Sequence, residues 1–152
     1  MNKNLRKLIK EYLQEAKMMQ LATSLDNMPW ICNVWFAADS DLNIYWFSST
    51  TRKHSKDILK NPNVAAAIVL PQSPKDTPRG IQLKGTAKVL DDQKDVDKAI
   101  AVYKYRIFPM ETIEKFMKDP EFPHKFYKIK PSQIVLFDGV NFPEKWRQEL
   151  NL

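Results

Sequence analysis

Cysteine is almost absent from this chain: Cys32 stands alone among 152 residues. An internal disulfide is therefore excluded, and the two histidines, His54 and His124, complete no Cys/His spacing that resembles a metal site. Long apolar runs are missing as well. None approaches the roughly 20 residues that a membrane-spanning helix needs. The first residues, Met1 to Ala16, break their apolar positions with Lys3, Arg6, Lys7, Lys10, Glu11 and Glu15, so they lack the uninterrupted core of a leader peptide. No internal repeat, low-complexity tract or linker divides the sequence. These absences lead to the expectation of one cytoplasmic domain spanning residues 1–152, with no membrane association.

What the chain has is positive charge and aromatic rings. Its net charge of +6 suits an anionic partner: a nucleic acid, a membrane surface or a phosphorylated small molecule. The apolar residues Leu5, Leu8, Ile9, Tyr12, Leu13 and Ala16 form a 3.6-residue stripe, which predicts an amphipathic first helix. Met18 to Ser24 reads as a strand ended by the turn formers Asp26 to Pro29. Trp30 to Ala38 reads as a strand that buries its even positions. Asn43 to Ser48 completes a hairpin with it, and Arg52 to Lys60 is a short helix stopped by Asn61-Pro62. The continuous apolar run Val64 to Leu70 predicts a strand buried on both faces, and the prolines of Pro71 to Pro78 predict a loop. Ile81 to Val89 alternates as a half-exposed strand. Helices are expected over Gln93 to Arg106 and Glu111 to Lys118, strands over Phe126 to Ile129 and Gln133 to Phe137, and a polar tail around Trp146. Short, spaced strands with turn signals point to an antiparallel barrel.

The segment Ser48-Ser49-Thr50-Thr51-Arg52-Lys53-His54-Ser55 carries the chemistry. It leaves a strand and opens a helix, with Thr50 or Thr51 placed to cap that helix. Arg52 and Lys53 then put cations at the end of the helix that its dipole already makes positive. A bound anion turns this cost into a gain, because free backbone N–H groups, hydroxyls and two cations would converge on it. The competing reading is a solvated basic helix continued by Lys56 and Lys60. The preceding strands supply Trp30, Trp35, Phe36, Tyr45, Trp46 and Phe47, which suit a flat conjugated ring beside a phosphate, although each ring also suits a barrel core. Asn33, opposite the apolar even positions, could hydrogen-bond the edge of such a ring.

From Trp30 to Leu70 the order of strand, turn, strand, Ser/Thr-rich turn ending in Arg-Lys, short helix, Asn-Pro and apolar strand resembles the FMN-binding split barrels of the pyridoxamine 5′-phosphate oxidase superfamily. The small stress-protein-like members are the nearest in length, and Arg79 to Leu90 extends the match. The resemblance implies an α+β, mainly antiparallel fold: a six-stranded split β-barrel with flanking helices. It implies a homodimer with FMN at the subunit interface. Arg52 and Lys53 would hold the FMN phosphate with help from Thr51. Asn33, Val34 and Trp35 would line the ribityl chain and ring, Trp46 and Phe47 would contact the cofactor, and Gln82 would reach the flavin. It also implies a flavin-dependent oxidoreductase acting on a small molecule or a reduced nicotinamide. The true oxidases carry a lysine where Phe36 stands, and an Arg-x-His near the C-terminus that this chain lacks, which argues against vitamin B6 oxidation. Tyr103 and Arg106 echo a substrate-binding pair but read more simply as surface residues of a helix.

Three alternatives follow from the same residues. Some relatives bind haem or a deazaflavin, and His124 is the candidate axial ligand for a haem. A basic barrel could instead bind nucleic acid, although Glu11, Glu15, Asp57, Asp95 and Asp97 interrupt the basic surface. Neither histidine has a partner at nucleophile–base spacing, and Cys32 reads as a buried, inert thiol.

Overall fold

A computed structural model describes residues 4–152; of the N-terminal charges counted against a leader, Lys3 lies outside the described residues. Seven strands and four helices follow one another as α1 (Leu5–Glu15), β1 (Met18–Leu25), β2 (Met28–Ala38), β3 (Ile44–Ser49), α2 (Lys53–Lys60), β4 (Asn63–Ile68), β5 (Arg79–Val89), α3 (Gln93–Tyr103), α4 (Met110–Met117), β6 (His124–Asp138) and β7 (Arg147–Asn151). The sheet runs β3-β2-β1-β4-β5-β6-β7, and β3 also pairs with β6. Six antiparallel strands thus close a ring, with β7 as an extra edge strand on β6. This is the expected α+β split barrel. No described helix is long and apolar enough to cross a membrane.

Alternation explains the interior. Met19 and Leu21 on β1, Val34 and Phe36 on β2, Val64, Ala66 and Ile68 on β4, and Ile81 and Leu83 on β5 are buried in one core, while their neighbours in sequence face outward. Opposite ends of the barrel are stoppered by helices. α1 inserts Ile9, Tyr12 and Leu13, and the Tyr12 hydroxyl donates to the Arg79 carbonyl and accepts from the Leu70 amide. At the other end α2 inserts Ile58. A second core forms where α3 and α4 cover the outside of β3 and β6, around Tyr45, Phe47, Tyr103, Ile113 and Phe126.

The β1–β2 hairpin turns on Asp26 and Asn27, both at positive φ (51° and 63°), which is the two-residue turn that matches strand twist. β6 is one continuous strand rather than two. Pro131, between the two expected strands, sits opposite Gly85 at a register shift, where a proline's missing N–H is tolerated. A side chain on Gly85 would overlap the Lys130 carbonyl. The expected polar tail forms β7, paired from Phe137↔Arg147 to Gln133↔Asn151; its polar sequence hides an edge strand held by backbone bonds.

Two burial expectations need correction. Trp30 is expected among the buried even positions of β2, yet it is 45% exposed, in the N-terminal half of the strand, where Met28 and Ile31 are exposed too and no β3 neighbour pairs. β4 was expected to be buried on both faces. Ala65 and Val69 are exposed while Val64, Ala66 and Ile68 are buried, so among the described residues the barrel side alone is well covered.

Candidate functional site

Buried polar side chains are gathered in one place. Of the seven among the described residues, Thr23, Ser48, Ser49, His54, Ser55 and Asp57 lie where α2 meets the ends of β1 and β3, and only Asp138 lies elsewhere. Burial of such groups costs free energy unless they are hydrogen-bonded, and here they bond one another. Thr23 Oγ1 donates to Asp57 Oδ2 at 2.9 Å, and Lys53 Nζ donates to both Asp57 oxygens at 3.0 Å. Ser55 Oγ donates to the Ser49 carbonyl at 2.8 Å, and His54 Nε2 lies 3.1 Å from Ser48 Oγ. The turn that follows β3 is therefore fixed from beneath. It is fixed from the side as well, because the Thr50 amide donates to the Pro123 carbonyl at 3.0 Å.

At the opening of α2 the expected threonine cap is absent. Arg52 occupies the cap position in extended conformation and makes no side-chain capping bond. Thr51 is used differently: its amide donates to Ser49 Oγ at 3.2 Å, and the two hydroxyls share a 2.9 Å bond. The first turn of the helix holds no acidic residue. N–H groups at a helix start have no partner within the helix, so an uncapped, basic, hydroxyl-lined end faces outward here.

Lys53 is held in a defined position. As well as bonding Asp57, its ammonium lies 5.6 Å from the centre of the Trp30 ring. Asp57 is only 2% exposed. Burial alone would raise its carboxyl, but the Lys53 and Thr23 bonds and the Lys53 charge hold it below its ordinary value. Burial depresses the basicity of His54, and the Arg52 charge lowers it further. Cys32, half-buried on β2, is pushed up to about 11 by burial, the direction expected of an inert thiol.

The barrel is open beside this turn. β2 pairs with β3 only from Phe36↔Trp46 to Ala38↔Ile44, whereas it pairs with β1 from Met28 to Trp35. From Met28 to Trp35, β2 has no β3 neighbour, and the strands separate beside Phe47 to Ser49. Val34 points into the barrel; Asn33 and Trp35 point out. Asn33 Oδ1 accepts from Gln20 Nε2 at 3.1 Å. The register Asn33↔Gln20↔Ala67↔Gln82 places Asn33 and the exposed Gln82 in one row on one face, three strands apart. Rows on either side add Trp35 and Met18, and Ile31, Ala22 and Ala65.

Trp46 and Phe47 occupy different cores. Trp46 lies inside the barrel, stacked on Tyr127 at 5.1 Å and 17°, while Phe47 packs against Phe126 at 4.6 Å beneath α3 and α4. Tyr103 and Arg106, read as surface residues, prove structural. Tyr103 is fully buried in the second core, and the Arg106 guanidinium donates to the carbonyls of Leu13, Gln14 and Ala16 at the C-terminus of α1. The His124 ring packs between Phe47 and Phe116, with Nδ1 2.8 Å from the Phe122 carbonyl.

Sequence reasoning passed over Asp57, Thr23 and the Ser48–His54 pair. The spacing of Lys53 and Asp57, four apart on a helix, was the available signal for the first. Nothing local ties Thr23 to residues more than thirty positions later.

Comparison with known proteins follows from this geometry. The family model for pyridoxamine 5′-phosphate oxidase matches residues 5–137. General stress protein 26 of Bacillus anthracis superimposes with a TM-score of 0.70 at 21% identity, covering 97% of this chain and 98% of that one. A Clostridium acetobutylicum protein related to general stress protein 26 gives 0.68 at 12% identity, over 97% and 94% of the two chains. A heme binding protein of Mycobacterium smegmatis gives 0.79 at 13% identity over 99% of this chain, which spans 59% of that longer one. No curated protein matches the sequence. The family match covers most of the chain and agrees with the split ring of six strands: the chain belongs to the pyridoxamine 5′-phosphate oxidase family.

Proposed function

We propose that this protein is an FMN-binding flavoprotein, with the phosphate held at the opening of α2 and the ring laid along the open edge of β2. One observation carries the reading: six of the seven buried polar side chains among the described residues converge under a helix start that is uncapped, basic and free of acid in its first turn. Arg52 has no carboxylate within 4.0 Å among the described residues, and the planar fork of its guanidinium suits a dianion. Asp57 takes two of the three donor directions of the Lys53 ammonium and aims the third outward, and Thr51 adds a hydroxyl.

Asn33, Val34 and Trp35 line the edge left free by the separation of β2 and β3, and the Asn33–Gln82 row offers amides to a ring. Trp46 and Phe47 contribute as the strand wall and not by stacking, since both side chains are buried. When bound, the flavin supplies hydride and electron transfer, and the protein supplies binding, orientation and polarity around it. The electron source is a reduced nicotinamide or another small molecule. Pyridoxamine phosphate is a poor candidate substrate: Phe36, at the position of the oxidases' lysine, is wholly buried.

A homodimer completes the site. The outer face mixes the exposed Ile31, Trp35 and Ala65 with the polar row of Asn33, Gln20 and Gln82, and a partner protomer would cover its apolar share. Loss of apolar exposure on this scale is the usual driving force for association.

Titration of FMN and riboflavin against the protein and an Arg52→Ala/Lys53→Ala variant tests the reading. The variant is expected to lose on the order of a hundredfold in FMN affinity, charge-assisted bonds contributing ~1.5–3 kcal/mol each, with riboflavin changed little. Equal losses for both ligands refute the phosphate assignment.

A haem reading rests on a separate observation. The bond from His124 Nδ1 to a carbonyl makes that nitrogen the donor and leaves Nε2 as a lone pair, the state of a metal-ligating imidazole. Against it, the ring already packs against two phenylalanines, Phe47 and Phe116, with centroids 5.2 and 4.7 Å away. A Soret band that His124→Ala abolishes would support haem.

A further inference from the structure

A second concentration of positive charge lies away from the α2 turn, on the outside of β5 and β6. Lys88 stands directly opposite Lys128, and Thr86 directly opposite Lys130. Alternation puts these four side chains on one face, while the intervening Ala87 and Ile129 turn into the core. Together with Pro62 they line a cleft of about 500 Å³. Neighbouring strands are roughly 4.8 Å apart and alternate residues roughly 7 Å apart along a strand, so the three ammonium groups cannot spread far from one another without leaving the cleft. Close approach of the backbones at Gly85 and Lys130 fixes this part of the sheet.

Neutralisation inside the cleft is slight. Lys88 Nζ reaches Asp95 only at 3.9 Å, and both side chains are solvent-accessible. Lys128 Nζ lies 5.8 Å from the Tyr45 ring, and Lys130 has no carboxylate within 4.0 Å among the described residues. Like charges directly opposite on paired strands are destabilising. The protein therefore bears a standing repulsion that an anion in the cleft would reverse.

We infer that this cleft binds a small molecule through a diphosphate group. Lysines serve as point-charge phosphate ligands, and Thr86 adds a hydroxyl donor. Three cations around one concavity match two linked phosphoryl groups, whereas a lone phosphate would engage only part of the set. A nucleic-acid strand fits less well. The patch ends at Asp95 on one side and at Asp41 in the adjoining cleft on the other, and no aromatic side chain lines it for base stacking.

Calorimetric titration of inorganic pyrophosphate into the full chain tests the site. In the Arg52→Ala/Lys53→Ala background, which removes the α2 turn as a competing phosphate site, pyrophosphate is expected to bind, the further change Lys128→Gln/Lys130→Gln to weaken it at least tenfold, and orthophosphate to bind at least tenfold more weakly than pyrophosphate. Loss of binding in the Arg52/Lys53 variant instead, no effect of the Lys128/Lys130 changes, or no binding at all overturns the assignment. So does tighter binding of a short single-stranded oligonucleotide that depends on the same lysines. A thermal melt adds an independent reading: without ligand, Lys128→Gln should melt about 1–2 °C higher as the repulsion is relieved. An unchanged or lower midpoint contradicts the premise.

Discussion

Trp46 and Ser48 are two residues apart on β3 and share one face of the strand, yet they meet opposite surroundings. Trp46 is wholly buried in apolar contacts, stacked on Tyr127, and its indole N–H finds no partner. Ser48 is as well shielded, but its hydroxyl is bonded to His54, and the groups around it are Ser49, Ser55, Asp57 and Thr23. The lining changes from dry to polar within one step of roughly 7 Å along the strand. A barrel stabilised only by apolar packing has no use for that change; a barrel with a ligand at its rim does. The interior is expected to govern stability and the rim to govern binding, and substitutions on the two sides of the boundary can separate them.

The largest effect is expected inside. Trp46→Ala should cost about 3–5 kcal/mol in urea unfolding, while Trp46→Phe should cost far less, since the indole N–H makes no bond to lose. Asp57→Ala comes next. It strips acceptors from Thr23 and Lys53 and should cost about 1–3 kcal/mol, and it should weaken FMN by releasing the Lys53 side chain. The carboxyl of Asp57 is held below its ordinary value when folded, so its contribution is complete near neutral pH and fades as pH falls through the folded value. Asp57→Asn should therefore flatten the acid limb of the stability curve below about pH 4. If Asp57→Ala destabilised the protein more than Trp46→Ala, or left FMN binding intact, the division between a stabilising interior and a binding rim would be wrong.

Legibility in the sequence followed locality. β2 and β5 could be read because alternation is a short-range pattern, β4 from its apolar run, and the Asp26-Asn27 turn because its residues tolerate positive φ. β7 could not, because Arg147–Asn151 presents polar side chains and owes its conformation to pairing with β6. The continuity of β6 depended on Gly85, a residue on another strand. At the site, the basic turn from Ser48 to Ser55 was plain. The bonds of Asp57 were not, since one of the three comes from Thr23 on a strand distant in sequence. Val64 to Leu70 misled for a different reason: a continuous apolar run does not say which face is covered, and Ala65 and Val69 are exposed.

The smallest effect is also the most local test of the rim. His54 is buried against Ser48, and its folded-state basicity is lowered by burial and by the Arg52 charge. The unfolded chain therefore takes up a proton on this histidine before the folded protein does, and stability should decline as pH drops below about 6.5, the ordinary histidine value. His54→Gln keeps a hydrogen-bonding group within reach of Ser48 and removes the titration. Urea midpoints of the two proteins should converge below pH 6 relative to their separation at pH 8. A dianion docked beside Arg52 raises the basicity of His54 by offsetting the guanidinium charge, so saturating FMN should shrink the wild-type dependence and leave the glutamine variant unmoved. The same pH dependence with and without FMN would mean that the phosphate sits too far from α2 to act on this ring.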